Sequence, residues 1–201
     1  AVSSGSMGTD WLKNNGPSDI TELSLSLAGG MVYLAGLAKT HKDGITKAKA
    51  ALESGAALEK FKELIIHQGG DASVVDDYSL FPHTKNTFEV KAAKNGFITK
   101  MNCKALGLHC VRLGGGRQKT TDVIDFAVGF VMNKKIGDIV KKGESLVTIH
   151  FHENQKEIVN EIAKEMIKND ITIGATKSRT KKKLIIEVQT KFVPTKKTNK
   201  R

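Results

Sequence analysis

Aromatic residues make up only 5% of these 201 residues, and there are just three prolines, two cysteines and one tryptophan. So few rings leave no interleaved stacking platform for single-stranded nucleic acid, and nucleic acid is not an expected partner of the folded part. Two cysteines cannot supply a four-thiolate zinc site, and the spacing of Cys103 and Cys110 fits no redox pair. Both fall in segments that read as strands, so reduced, buried thiols are the expectation, with a disulfide left open. No apolar run approaches the ~20 residues needed to span a bilayer. The first ten residues carry no basic segment followed by a long apolar stretch, as a signal peptide would. They read instead as a linker, a non-native start or the middle of a longer chain. A cytoplasmic location without membrane attachment is therefore expected.

The net charge is +11, but its distribution says more than its size. From Lys177 to the end there are ten cations against one carboxylate, Glu187, so +9 of the charge lies in the last 25 residues. The body is nearly neutral. Residues 175–201 read as a basic, partly disordered tail, and a non-enzymatic module holding RNA or another polyanion through it is one functional alternative.

Residues 11–82 read as helical. Asp19 and Glu22 fit a capping box, and Ile20, Leu23, Leu27, Met31, Leu34 and Ala38 recur at helical spacing as one apolar stripe. Gly29-Gly30 weakens this helix unless another backbone packs closely against it. A second helix spans about Ile45 to Ser54, stopped by Gly55, and a third about Ala57 to Gln68, stopped by Gly69-Gly70. Beyond Pro82 the period changes to two. Phe88–Ala92 and Phe97–Met101 read as strands joined by an Asn95-Gly96 hairpin turn. Leu106–Leu113, Val128–Met132 and Ser145–His152 read as further strands. Glu153–Lys168 returns to helix, and Ile171–Ile173 and Leu184–Val188 are possible edge strands. The fold class is thus α+β: a helical segment, then a small barrel-sandwich-like β module over 83–174 with helix 153–168 packed on it.

No set of side chains forms a catalytic constellation, and there is neither a P-loop nor a dinucleotide fingerprint. His150 and His152 share one face of a strand, which would begin a metal site, but no third ligand beyond Glu153 is evident. They read as strand-end histidines, and no metal is expected. His67 sits where a helix C-terminus favours a cation. Gly114, Gly115, Gly116 and Arg117 admit two readings. Successive amides beside a guanidinium can form an anion nest, or the glycines serve a tight turn with positive φ. The stretch Lys135–Leu146 has the rhythm of biotinyl and lipoyl carrier domains. The modified-lysine tip that such a domain needs is absent from Thr148–Asn154.

In order, several blocks resemble one family. They are Asn15-Gly16-Pro17 with Thr21-Glu22-Leu23, Ser54–Phe61, Gln68-Gly69-Gly70-Asp71, Leu113–Arg117, Val128-Gly129, Lys134–Asp138 and Lys142–Leu146. Together they are similar to the C-terminal portion of the pyrimidine-nucleoside (thymidine) phosphorylases over roughly Trp11 to Ile173. The resemblance implies part of a two-domain pentosyltransferase of cytoplasmic pyrimidine salvage. Phosphate, as co-substrate and without a cofactor, cleaves a pyrimidine (deoxy)nucleoside to sugar 1-phosphate and free base. It also implies that the phosphate loop and base-contacting residues lie upstream of this segment, so no catalytic residue maps here. Residues 11–82 then belong to the family's α/β domain, and 83–174 form its C-terminal module. The dimer-forming helices are upstream too, so any homodimer requires that part. Gly114–Thr121 corresponds to a mobile closure loop near the interdomain cleft. The first ten residues differ from the glycine-rich ion-binding segment the family would have there, and the basic tail runs past the family's usual end.

Overall fold

The computed structural model describes residues 9–177 together with Ile185 and Val188. The expectations for the basic tail and for a strand over 184–188 fall outside the described residues, those two and 175–177 apart. The same holds for the linker over 1–10, except that Thr9 and Asp10 sit in a helical turn. The described residues divide into two compact units, one of residues 10–61 with Ile185 and Val188, the other of Thr9 with residues 62–177.

The first unit is built on two helices, α1 (Ser18–Leu34) and α2 (His41–Glu53). The close approach anticipated at the glycine pair is real, and it centres on Gly29. A Cβ on Gly29 would fall 2.5 Å from Ile45 Cγ1, and one on Gly44 would overlap the Gly29 carbonyl. Only hydrogen at both positions allows the two backbones to meet. His41 Nε2 bonds the Ser26 carbonyl at 2.8 Å, pinning the start of α2 to α1. That helix begins four residues before the expected boundary because Thr40 caps it, accepting from Asp43 N at 3.1 Å.

Two details of α1 differ from expectation. The capping box does not form: Pro17 occupies the cap position and Asp19 Oδ1 instead accepts from the adjacent Ile20 N at 2.9 Å. Asp19 still lies in the first turn, where the helix dipole favours its charge. The apolar stripe is also not a core. Leu27, Met31 and Leu34 are 63%, 71% and 84% exposed, because the face packed on α2 is the glycine face. Helix α3 (Ala56–His67) follows and ends with Gly69 at φ 77°, as its sequence foretold.

The second unit holds two three-stranded antiparallel sheets. In one, β5 (Ser145–Phe151) lies between β1 (Asn86–Lys91) and β3 (Gly129–Met132). In the other, β2 (Gly96–Met101) lies between β4 (Ile139–Val140) and β6 (Ile171–Gly174). The α+β class holds, as an open pair of small sheets and not a closed barrel. The Asn95-Gly96 hairpin does not form. Its two flanking strands enter different sheets, β1 pairing Phe88 with Ile149 and β2 pairing Ile98 with Ile173.

Leu106–Leu113 is not a strand. It lies in helix α4 (Cys103–Cys110) and the π-helical turn Val111–Gly115 that follows. Asn102 caps α4 by accepting from Ala105 N at 3.3 Å, and Leu106, His109 and Leu113 form its buried stripe. The cysteines are therefore on a helix. Both are free; Cys103 is exposed, while Cys110 is partly buried and its thiol is pushed up by that burial.

Helix α5 (Lys156–Glu165) turns Val159, Ile162 and Ala163 onto the sheets, and Met166 extends that face. With Val90, Ile98, Leu113, Leu146 and Ile149 they make one core, each of these five no more than 1% exposed. Burying side chains of this size stabilises by about 1.5–3 kcal/mol each.

Candidate functional site

The chain leaves α4 through the π turn and pivots at Gly114, whose φ of 101° lies in the left-handed region. A side chain there would be strained. Its two neighbours are glycine for a different reason. A Cβ on Gly115 would fall 2.8 Å from Cys110 Sγ, and one on Gly116 would fall 2.7 Å from Val111 Cγ2. The loop folds back tightly over the end of its own helix. Sterics thus account for all three glycines, which favours the turn reading over an anion nest.

Beyond the glycines, Arg117 and Lys119 are exposed. The Asp122 carboxylate accepts from Gln118 N and Lys119 N, both at 2.9 Å, and closes a small internal turn. On the return, Val123 is 91% and Phe126 63% exposed.

The base of this loop is held by residues whose purpose sequence inspection did not reveal. Gln155 Nε2 donates to the Leu113 carbonyl at 2.7 Å, and Asp125 N donates to the Gly114 carbonyl at 3.0 Å. His152 Nε2 meets Asp125 Oδ2 at 2.9 Å. The structure therefore separates the two strand-end histidines. His152 serves the loop, while His150 lies in β5 opposite Gly129 and Thr87, its pKa lowered by burial. Among the described residues, no three metal-ligating side chains come together.

A second polar cluster anchors α4 itself. Buried His109 bonds buried Asp170 through Nε2 to Oδ2 at 2.9 Å. Arg112 donates to His109 Nδ1 at 3.3 Å and to Glu165 Oε2 at 2.9 Å. The Arg112 guanidinium has only donors to offer, so Nδ1 accepts from it and Nε2 is the nitrogen that faces Asp170. This cluster satisfies buried polar groups and fixes the helix from which the loop departs. The one signal available in sequence was helical spacing: His109 and Arg112 are three apart on one face, a relation that a strand reading hides. His67 sits in the last turn of α3, as expected, and is exposed.

No helix among the described residues is long and apolar enough to cross a membrane. Residues 97–174 match the family model for the pyrimidine nucleoside phosphorylase C-terminal domain. The pyrimidine-nucleoside phosphorylase of Staphylococcus haemolyticus is 43% identical over 157 residues, which is 78% of this chain and 36% of that protein. Those of Staphylococcus aureus strains RF122 and USA300 are 44% identical over 165 residues, 82% of this chain and 37% of theirs. The chain thus spans little more than a third of the length of these curated relatives. The ordered blocks, the glycine loop and these matches agree: over most of its length the chain is similar to the C-terminal portion of the pyrimidine-nucleoside phosphorylases.

Proposed function

We propose that this chain supplies the scaffold and closure loop of a pyrimidine-nucleoside phosphorylase and is inactive alone. In the complete enzyme a phosphate oxygen attacks C1′ of a pyrimidine (deoxy)nucleoside. The C1′–N bond breaks, its electron pair leaves with the base, and sugar 1-phosphate is released. That reaction needs donors for phosphate and a site that tolerates oxocarbenium-like charge while excluding water. The first two needs fall to the upstream portion that the relatives possess. The third is the role assigned to Gly114, Gly115, Gly116 and Arg117.

The observation that carries this reading is the loop: a pivot at Gly114 and a return segment that leaves Val123 and Phe126 open. A closing loop of this kind completes a site and shields it from solvent. The open stripe of α1, with Leu27, Met31 and Leu34 exposed, supports the need for an upstream partner. Any homodimer would form through that same part. No cofactor is required, phosphate being the co-substrate, and the setting is cytoplasmic pyrimidine salvage.

The purified 201-residue chain is expected to give no thymidine-plus-phosphate turnover. Co-expression with the upstream portion of a Staphylococcus aureus relative is expected to restore it. Turnover by the chain alone, or none from the assembled pair when it is shown to be folded and associated, would overturn the proposal.

A further inference from the structure

Four hydrogen bonds at the base of the glycine loop close into a ring. Gln155 Nε2 donates to the Leu113 carbonyl at 2.7 Å, and His152 N donates to Gln155 Oε1 at 2.7 Å. His152 Nε2 meets Asp125 Oδ2 at 2.9 Å, and Asp125 N donates to the Gly114 carbonyl at 3.0 Å. The ring runs from the π turn after α4 to the β5–α5 connection and back to Asp125 in the irregular segment that returns from the loop.

Each member is used twice, so none can leave singly. The Gln155 amide spends its nitrogen on Leu113 and its oxygen on His152. The Asp125 carboxylate gives one oxygen to His152 and the other to Ala127 N, at 2.9 Å. The carbonyls of Leu113 and Gly114 are held by Gln155 and Asp125, whereas among the described residues the ties within 116–124 are local ones between Asp122, Gln118 and Lys119. A glycine pivot has no torsional preference strong enough to aim the excursion it carries. The ring must do so. It is also accessible: the side chains of His152 and Asp125 are 46% and 35% exposed, so the ring lies outside the buried core and can open without unfolding it.

We propose that His152 and Gln155 are positioning residues for residues 116–124. They hold the loop in its resting orientation about Gly114, and opening their ring is the step that frees it to swing. The functional consequence rests on reading Gly114–Arg117 as a closure loop, while the geometry can be tested without any activity.

The test uses the intact 201-residue chain. Amide exchange is followed at Asp125 and, as a core reference, at Val147 in β5; tryptic cleavage after Arg117 is timed alongside. His152→Ala and Gln155→Ala are each expected to speed both loop readouts about tenfold, as loss of a charge-assisted or doubly used hydrogen bond predicts, with Val147 unchanged. His152→Gln places an amide nitrogen the same number of bonds from Cα as Nε2 and is expected to restore the original rates. Unchanged loop rates in both alanine variants would overturn the proposal. So would equal acceleration at Val147, or failure of His152→Gln to rescue. If the ring behaves as expected but His152→Ala leaves phosphorolysis by the assembled enzyme untouched, the closure reading fails and the ring stands.

Discussion

The two units of this chain bury their apolar residues to very different extents. In residues 62–177 the strands and α5 converge on one core whose central side chains are almost completely inaccessible. In residues 10–61 the closest packing is backbone on backbone at Gly29 and Gly44, and the leucines and methionine of the α1 stripe face outward. Glycine contact brings helices near but buries little side-chain area, and buried area is what stabilises. The buried core cluster lies entirely in the second unit, and the first unit contributes none of its members.

The comparison breaks most visibly if the units are separated. A fragment starting at residue 83 is expected to keep a cooperative urea transition, while residues 10–61 alone are expected to lose most of their helical circular dichroism. A cooperative, fully helical 10–61 fragment would dissolve the contrast. Next in size is Ile162→Ala, at the centre of the β-module core and 0% exposed. It is expected to cost about 2–5 kcal/mol in urea denaturation, against no more than about 0.5 kcal/mol for Leu27→Ala on the open stripe. Equal costs would show that α1 is covered in solution.

Gly44→Ala sharpens the comparison from the other side. Its methyl would overlap the Gly29 carbonyl, and overpacking of this kind costs about 1–3 kcal/mol. Faster amide exchange should appear in α1 and α2 and leave β5 unchanged. The smallest effect concerns His150. Burial lowers its pKa, so the unfolded chain binds the proton more readily and stability falls as pH drops below about 6.5. His150→Gln should flatten the pH dependence of the β-module urea midpoint between pH 7 and pH 5. An unchanged slope would show that this imidazole is solvated.

Much of the fold was legible because burial imposes a period. Phe88 and Val90 alternate with exposed Thr87, Glu89 and Lys91 along β1, and Ile158, Ile162 and Met166 marked α5. Leu106–Leu113 is helical where a strand is expected, and its buried residues, Leu106, His109 and Leu113, follow helical spacing. Gly107 and the β-branched Val111 weaken helix propensity, and a histidine in the apolar stripe interrupts the pattern. Its partner, Asp170, lies 61 residues away, so no local rule marks His109 as interior. At the loop, the glycines were visible. Their tether was not: Asp125 and His152 are 27 residues apart, and Gln155 and Leu113 are 42 apart.

By itself, the sequence determined where the chain turns, which residues seek burial, and which family the ordered blocks resemble. Those properties depend on local backbone chemistry and on periodicity, and both are written in neighbouring residues. Tertiary structure alone decided that β1 and β2 enter separate sheets, that the α1 stripe stays open, and that His152 guards a loop while His150 does not. A hydrophobic period states that a face wants cover without naming what covers it. Hydrogen bonds between distant residues exist only once the core has brought them within 3 Å.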